Sequence, residues 1–214
     1  MFRDRNDAGS RLAARLFQYK NRLDVIVLAL PRGGVVIGYE IARELNVPLD
    51  VLIVRKLGFP GQTELAMGAI AETGGVILNE DIVEEGRLPN ILIKNEIERQ
   101  KEEIAQRLVL YRSGKTLPPL NGMSVILVDD GVATGATIKA AIAALKEQKA
   151  AELILAVPVG PPETVEVLRT MANALVCLET PSPFVAVSRH YLDFTQVTDS
   201  DVVDLLQRLA SKAA

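Results

Sequence analysis

The sequence predicts an α/β protein built on a mostly parallel, doubly wound sheet. Three observations carry that prediction. Apolar runs of strand length recur at residues 24–30, 48–54, 125–128, 151–157 and 174–179, the pattern of strands buried on both faces. Segments of helical character separate them. The loops beginning at Pro31, Arg55, Asp129, Val157 and Glu179 all leave carboxyl ends of these strands, where open α/β sheets bind ligands.

At 214 residues the chain fits one domain, 1–214, with an inserted loop, hairpin and helix at about 57–115 and a small C-terminal hood at about 180–198. Residues 7–21 place Leu12, Leu16 and Tyr19 at helical spacing, with Arg11, Arg15 and Lys20 largely off that face, as in an amphipathic packing helix. The run 24–30 leads directly into Pro31-Arg32-Gly33-Gly34, and a helix at about 35–45 and the strand 48–54 complete a right-handed βαβ unit. The breaker-rich stretch 57–63 reads as a mobile loop. Segments 64–71 and 76–79 flank Glu72-Thr73-Gly74-Gly75 as a hairpin, and 90–112 reads as a long helix with a solvated charged face. A helix over 138–148 and another after residues 158–162 alternate with the last strands, and no internal repeat is present.

A composition of 49% hydrophobic and 24% charged residues with net charge -3 describes a soluble globular protein and argues against a general nucleic-acid binder, which needs a strongly basic face. Cys177 is the only cysteine, so no intrachain disulfide can form, and its apolar neighbours mark it as a structural residue. No apolar run has signal-peptide character or approaches a membrane span, so no membrane partner and a cytoplasmic location are expected.

The most informative stretch is 125–137. An apolar strand ends in Asp129-Asp130, passes through Gly131, Val132, Ala133, Thr134, Gly135 and Ala136, and reaches Thr137 at the start of a helix. Unpaired N–H groups and partial positive charge at a helix N-terminus suit a phosphate, and a loop of small residues lets one approach. Two carboxylates beside a phosphate would repel it unless they face neutral hydroxyls or a cation, so the pattern implies a sugar phosphate with a divalent metal. A helix-capping Asp pair explains one acid and leaves the second, and the Thr-Gly-x-Thr, unexplained.

This block resembles the phosphoribosyl pyrophosphate (PRPP) signature of the type I phosphoribosyltransferases. The resemblance implies that Asp129 and Asp130 engage the ribose hydroxyls, directly or through the shell of a Mg2+ ion, and that Val132, Ala133, Thr134, Gly135, Ala136 and Thr137 wrap the 5′-phosphate. Arg32, Gly33 and Gly34 stand where that family keeps its pyrophosphate loop. Arg55-Lys56-Leu57-Gly58-Phe59-Pro60-Gly61 resembles the start of its catalytic loop, with Arg55 or Lys56 neutralising departing pyrophosphate. Ala133 replaces the Asp proposed as general base in the hypoxanthine-guanine members, so Glu72, in the inserted hairpin, becomes the candidate base, with Glu64 nearer the loop. Phe184, Val185 and Tyr191, with Phe194 behind them, are the candidate acceptor-binding residues, and the absence of Lys from 158–162 argues against a 6-oxo purine. His190, the only histidine, reads as a residue at the edge of the site.

The resemblance implies transfer of a 5-phosphoribosyl group between PRPP and a nitrogenous base, a purine first, with Mg2+ as cofactor and a homodimer allowed. The alternative from another class is a regulatory module that binds PRPP without turning it over. Gly33-Gly34 lacks the Gly-x-Gly-x-x-Gly spacing of a dinucleotide binder.

Overall fold

Apolar stripes and runs set the element order of the computed structural model, which describes residues 1–213 and the side chains of all of these except residues 63, 64, 212 and 213. Helix α1 (Arg5–Arg15), N-capped by the Asp4 side chain, leads to strand β1 (Val25–Ala29), every residue of which is buried. Helix α2 (Gly33–Leu45) begins within four residues of the end of β1 and stops at Asn46, whose left-handed backbone (φ 54°) closes the helix. Strand β2 (Leu49–Val51) pairs parallel with β1.

The inserted region follows. Strands β3 (Val54–Phe59), β4 (Gln62–Ala71) and β5 (Val76–Leu78) form a separate antiparallel sheet in that order. Helices α3 (Glu80–Glu85) and α4 (Asn90–Arg112) come next. The stretch 57–63, expected to be a loop, is instead a hairpin: Phe59 pairs with Gln62, and Gly61 turns the chain at φ 79°. Leu57 is fully buried, and register shifts beside Gly58 absorb the breakers that made this stretch read as irregular.

Strand β6 (Ser124–Val128) returns to the main sheet, followed by α5 (Ala136–Glu147), β7 (Glu152–Val159), α6 (Pro162–Arg169) and β8 (Ala174–Glu179). Helix α7 (Asp199–Ala213) ends the described chain. The main sheet is wholly parallel in the order β2-β1-β6-β7-β8. Alternation along its strands builds two layers. Val25, Val27, Ile126 and Val128 meet Leu12 and Leu16 of α1 and Ile37 and Ile41 of α2, while Ile26, Leu28, Val125 and Leu127 meet Ile138, Ile142 and Leu145 of α5. A third core joins Val51, Leu57, Met67 and Ile70 to Ile104 of α4 and Val202 of α7.

Helix α7 was not expected. Its start is a capping box: the Asp201 N–H donates to Thr198 Oγ1 (3.2 Å) and the Thr198 N–H donates to Asp201 Oδ2 (2.8 Å). No described helix is long and apolar enough to cross a membrane.

Candidate active site

Strand order reverses between β1 and β6, and the loops leaving their carboxyl ends therefore diverge and leave a crevice. Asp129 and Asp130 stand at the end of β6, and Arg32-Gly33-Gly34 at the end of β1. After the acids the chain turns into α5 through Gly135, whose φ of 75° favours glycine. No side chain caps α5, so the N–H groups of its first turn are free to meet an anion. A cavity of about 100 Å3 lies here, lined by the loop 131–138 with Asp129 and Lys56. The side chain of Val132 is buried in the core, leaving only its backbone to face a ligand, whereas Ala133 and Thr134 are exposed.

Lys56 and Arg55 part company. Lys56 is exposed and borders both this cavity and a larger one of about 740 Å3 between the hairpin and α5, beside Thr134, Ala136 and Lys139. Arg55 points to the other side of β3, where its Nε donates to Gln100 Oε1 of α4 (2.9 Å) and Glu103 lies 4.0 Å away. Successive strand residues face opposite sides, so only one of the two cations can serve the crevice. Arg55 is accordingly corrected to a residue that fastens the hairpin to α4.

The acid pair is deeply set. The Asp130 N–H donates to Asp129 Oδ1 (2.8 Å). Burial, then the neighbouring Asp130 charge, pushes the Asp129 carboxyl well above the usual carboxylate range. Burial raises Asp130 too, opposed by Arg5, whose Nε donates to Asp130 Oδ2 at 2.8 Å. Arg5 also donates to the Thr195 carbonyl (2.8 Å) and lies 3.8 Å from the centre of the Phe194 ring. Arg5 was missed from sequence although a signal existed: it lies on the buried stripe Arg5, Ala8, Gly9, Leu12, Ala13 of α1, where a charge needs a partner.

Gly33 and Gly34 are required by packing. A Cβ at Gly33 would lie 1.9 Å from Asp130 Oδ2, and one at Gly34 would lie 2.9 Å from the Val128 carbonyl oxygen. These glycines let the start of α2 press against the end of β6. Arg32 and Gly33 open on a further cavity of about 360 Å3, shared with Arg5, Phe194, Gln196 and Val197.

Three other expectations change. Glu72 is turned inward: its Oε1 accepts the Ile53 N–H (2.8 Å) and its Oε2 accepts from Arg112, and Glu72 and Arg112 side chains are 4% and 7% exposed. Both carboxylate oxygens are thus occupied, and Glu72 is not free to act as a base at the crevice. The Glu64 side chain lies outside the described residues. Tyr191 is buried, donates its hydroxyl to the Asp130 carbonyl (2.6 Å) and packs on Phe2 and Phe194, so it braces the acid pair rather than offering a ring to an acceptor. Val185 is 75% exposed and lines none of the cavities described here. Phe184 stacks on His190 with centroids 5.5 Å apart, and Val187 packs so closely on Gly131 that a Cβ there would lie 2.5 Å from its methyl. Cys177 is half-buried, its thiol pushed up to about 11 by burial, in keeping with a structural role.

Among the described residues no group of three or more His, Cys, Asp or Glu side chains could hold a metal ion. Asp129 suits the other common arrangement, one carboxylate sharing a divalent cation with oxygens of the ligand.

The phosphoribosyl transferase domain family matches residues 3–195. The chain belongs to this family. A Mycobacterium tuberculosis protein provisionally named a phosphoribosyl transferase is 45% identical over 208 residues, which is 97% of this chain and 47% of that protein. The chain therefore spans about half the length of the curated relatives it matches. The crystal structure of TT1426 from Thermus thermophilus superposes with TM-score 0.82 at 40% identity, covering 98% of this chain and 99% of that one. A protein from Aquifex aeolicus, 11% identical with TM-score 0.53, covering 92% of this chain and 81% of that one, shares the fold. Helix α7 lies beyond the matched residues of this phosphoribosyl transferase domain.

Proposed function

We propose that this phosphoribosyl transferase domain transfers the 5-phosphoribosyl group between PRPP and a nitrogenous base, a purine first, with release of pyrophosphate. The observation that carries the reading is the meeting of three features at one cavity, an uncapped helix N-terminus, Asp129 and Lys56, with the Gly33-Gly34 turn packed against the acid pair. The uncapped α5 turn takes the 5′-phosphate, and Asp129 takes a ribose hydroxyl or a divalent cation. Lys56 meets the pyrophosphate end. As the bond from ribose C1 to pyrophosphate oxygen breaks and the bond to the acceptor nitrogen forms, positive charge grows on the ribose and negative charge on pyrophosphate, which Lys56 is placed to offset. Mg2+, when bound, would neutralise the phosphate oxygens further. With Glu72 held in its ion pair, the proton lost by the acceptor nitrogen passes to pyrophosphate or water.

A second reading, PRPP binding without transfer, is favoured by the hood. Tyr191 is committed to Asp130 and Phe184 to His190, so two of the three side chains expected to receive a base are already in use. Incubation with PRPP, Mg2+ and a panel of purine and pyrimidine bases, read by mass for nucleotide, separates the two. Nucleotide formation establishes transfer. Calorimetric PRPP binding with no nucleotide from any base supports the binding module, and no PRPP binding refutes both.

A further inference from the structure

We propose that Arg5 is a positioning residue of the donor site: its guanidinium is the resident counter-cation of Asp130 and keeps that carboxylate out of metal coordination. The inference rests on the PRPP reading of the crevice and departs from the expectation that both acids engage ribose or metal.

The Arg5 guanidinium is engaged at three points. Its Nε meets Asp130 Oδ2 at 2.8 Å, an NH group meets the Thr195 carbonyl at 2.8 Å, and its face rests on Phe194 at 3.8 Å. The residue is only 8% exposed. Asp130 is held from its other end as well, since Tyr191 donates to its carbonyl. The turn from β1 closes over the pair, because a Cβ at Gly33 would lie 1.9 Å from Asp130 Oδ2 and 2.9 Å from Arg5 Nε. A divalent cation on Asp130 Oδ2 would have to displace a buried guanidinium from that oxygen, and Asp130, unlike Asp129, does not line the cavity of the phosphate loop.

Asp129 differs. Among the described residues its carboxylate accepts one hydrogen bond, through Oδ1 from the Asp130 N–H, and it borders the cavity with Lys56 and the phosphate loop. The two neighbouring acids therefore divide their work. Asp129 serves the ligand and its cation. Asp130 serves as a strut joining α1, the Gly33 turn and residues 191–195. A metal bound with PRPP should depend on Asp129 and be indifferent to Asp130.

The test is Mn2+ binding followed by electron paramagnetic resonance, in the free protein and with PRPP. In the free protein Arg5→Met exposes two adjacent carboxylates, and Mn2+ should bind at least about ten-fold tighter than to the wild type. Adding Asp130→Asn to Arg5→Met should remove that gain, and Arg5→Lys, which keeps the charge, should not show it. With PRPP, Asp130→Asn should leave Mn2+ affinity unchanged while Asp129→Asn abolishes it. Equal Mn2+ binding by wild type and Arg5→Met, both folded, would overturn the assignment. If Arg5→Met does not fold, the Asp130→Asn comparison decides alone, and a loss of Mn2+ affinity of about ten-fold or more there refutes the inference. Failure of the wild type to bind PRPP would remove the functional reading, and the free-protein comparison would still test Arg5.

Discussion

Replacing Gly33 by alanine tests the central joint of the molecule. The new methyl would lie 1.9 Å from Asp130 Oδ2 and 2.6 Å from its Cγ, whereas ordinary contact begins at 3.4 Å, so the carboxylate must retreat by about 1.5 Å. It has nowhere to go. Arg5 holds the carboxylate, Tyr191 holds the carbonyl, and Arg5 is itself fixed by Thr195 and Phe194. Overpacking of a rigid site costs about 1–3 kcal/mol, and about 3–5 kcal/mol if the buried ion pair parts. A loss near 3 kcal/mol corresponds to a fall in Tm of roughly 6–12 °C for a domain of this size. Scanning calorimetry of Gly33→Ala measures it. Gly75→Ala is the control, because that methyl would meet only the end of the Glu147 side chain, at 3.2 Å. In an Asp130→Ala background the obstructing carboxylate is absent, and the cost of Gly33→Ala should fall sharply. A Tm for Gly33→Ala equal to that of the wild type, or costs that add in the double variant within about 0.5 kcal/mol, would refute the reasoning.

Lys56→Met should lower kcat/KM for transfer by about 100-fold or more with little change in Tm, since it removes a cation facing developing charge. Arg55→Met should do the reverse, lowering Tm through the lost bond to Gln100 while kcat/KM stays close to the wild type, and equal kinetic losses in the two variants would contradict the strand alternation. Glu72→Gln should cost about 1–3 kcal/mol in urea unfolding, because it removes the charge from a buried hydrogen bond and leaves Asp50, 3.5 Å from Arg112 Nε, as the remaining carboxylate. The folded fraction of that variant should keep its turnover number, and abolished turnover in fully folded protein would restore Glu72 as the base. For Asp129 the folded carboxyl binds its proton more tightly than the unfolded one, so its contribution to stability is full below the ordinary value of about 4 and is lost as pH rises through the raised value. Asp129→Asn should therefore gain stability over the wild type between pH 5 and pH 8 in urea titrations, and a gap that narrows with rising pH would exclude this balance.

The parts legible in the sequence are the local ones. Strands such as Val25–Ala29 and the run 125–128 announce themselves because burial on both faces leaves no polar position within them. The phosphate loop is readable because strand, acids, glycine and helix start lie within one short stretch. Helix α7 carries a readable start in Thr198 and Asp201 and an apolar stripe through Val202, Leu205, Leu206 and Leu209, beyond the hood at which the expected elements stop. Arg55 and Lys56 could not be separated while residues 57–63 were read as a loop, since only a strand assigns neighbouring side chains to opposite sides. Glu72 was misjudged because its partner, Arg112, lies forty residues further along, at the end of α4.

The same distinction accounts for where the site is open and where it is committed. The phosphate loop depends on residues close in sequence, 129–138, and faces a cavity. The hood depends on contacts that span most of the chain: Phe2 pairs with Tyr191, Arg5 with Asp130 and Thr195, and Tyr191 with Asp130. These contacts join residues 2–5 to 191–195, and both segments to Asp130. Under the proposed transfer reading, an acceptor that reached Gly131 would have to move Val187, whose methyl would lie 2.5 Å from a Cβ built there.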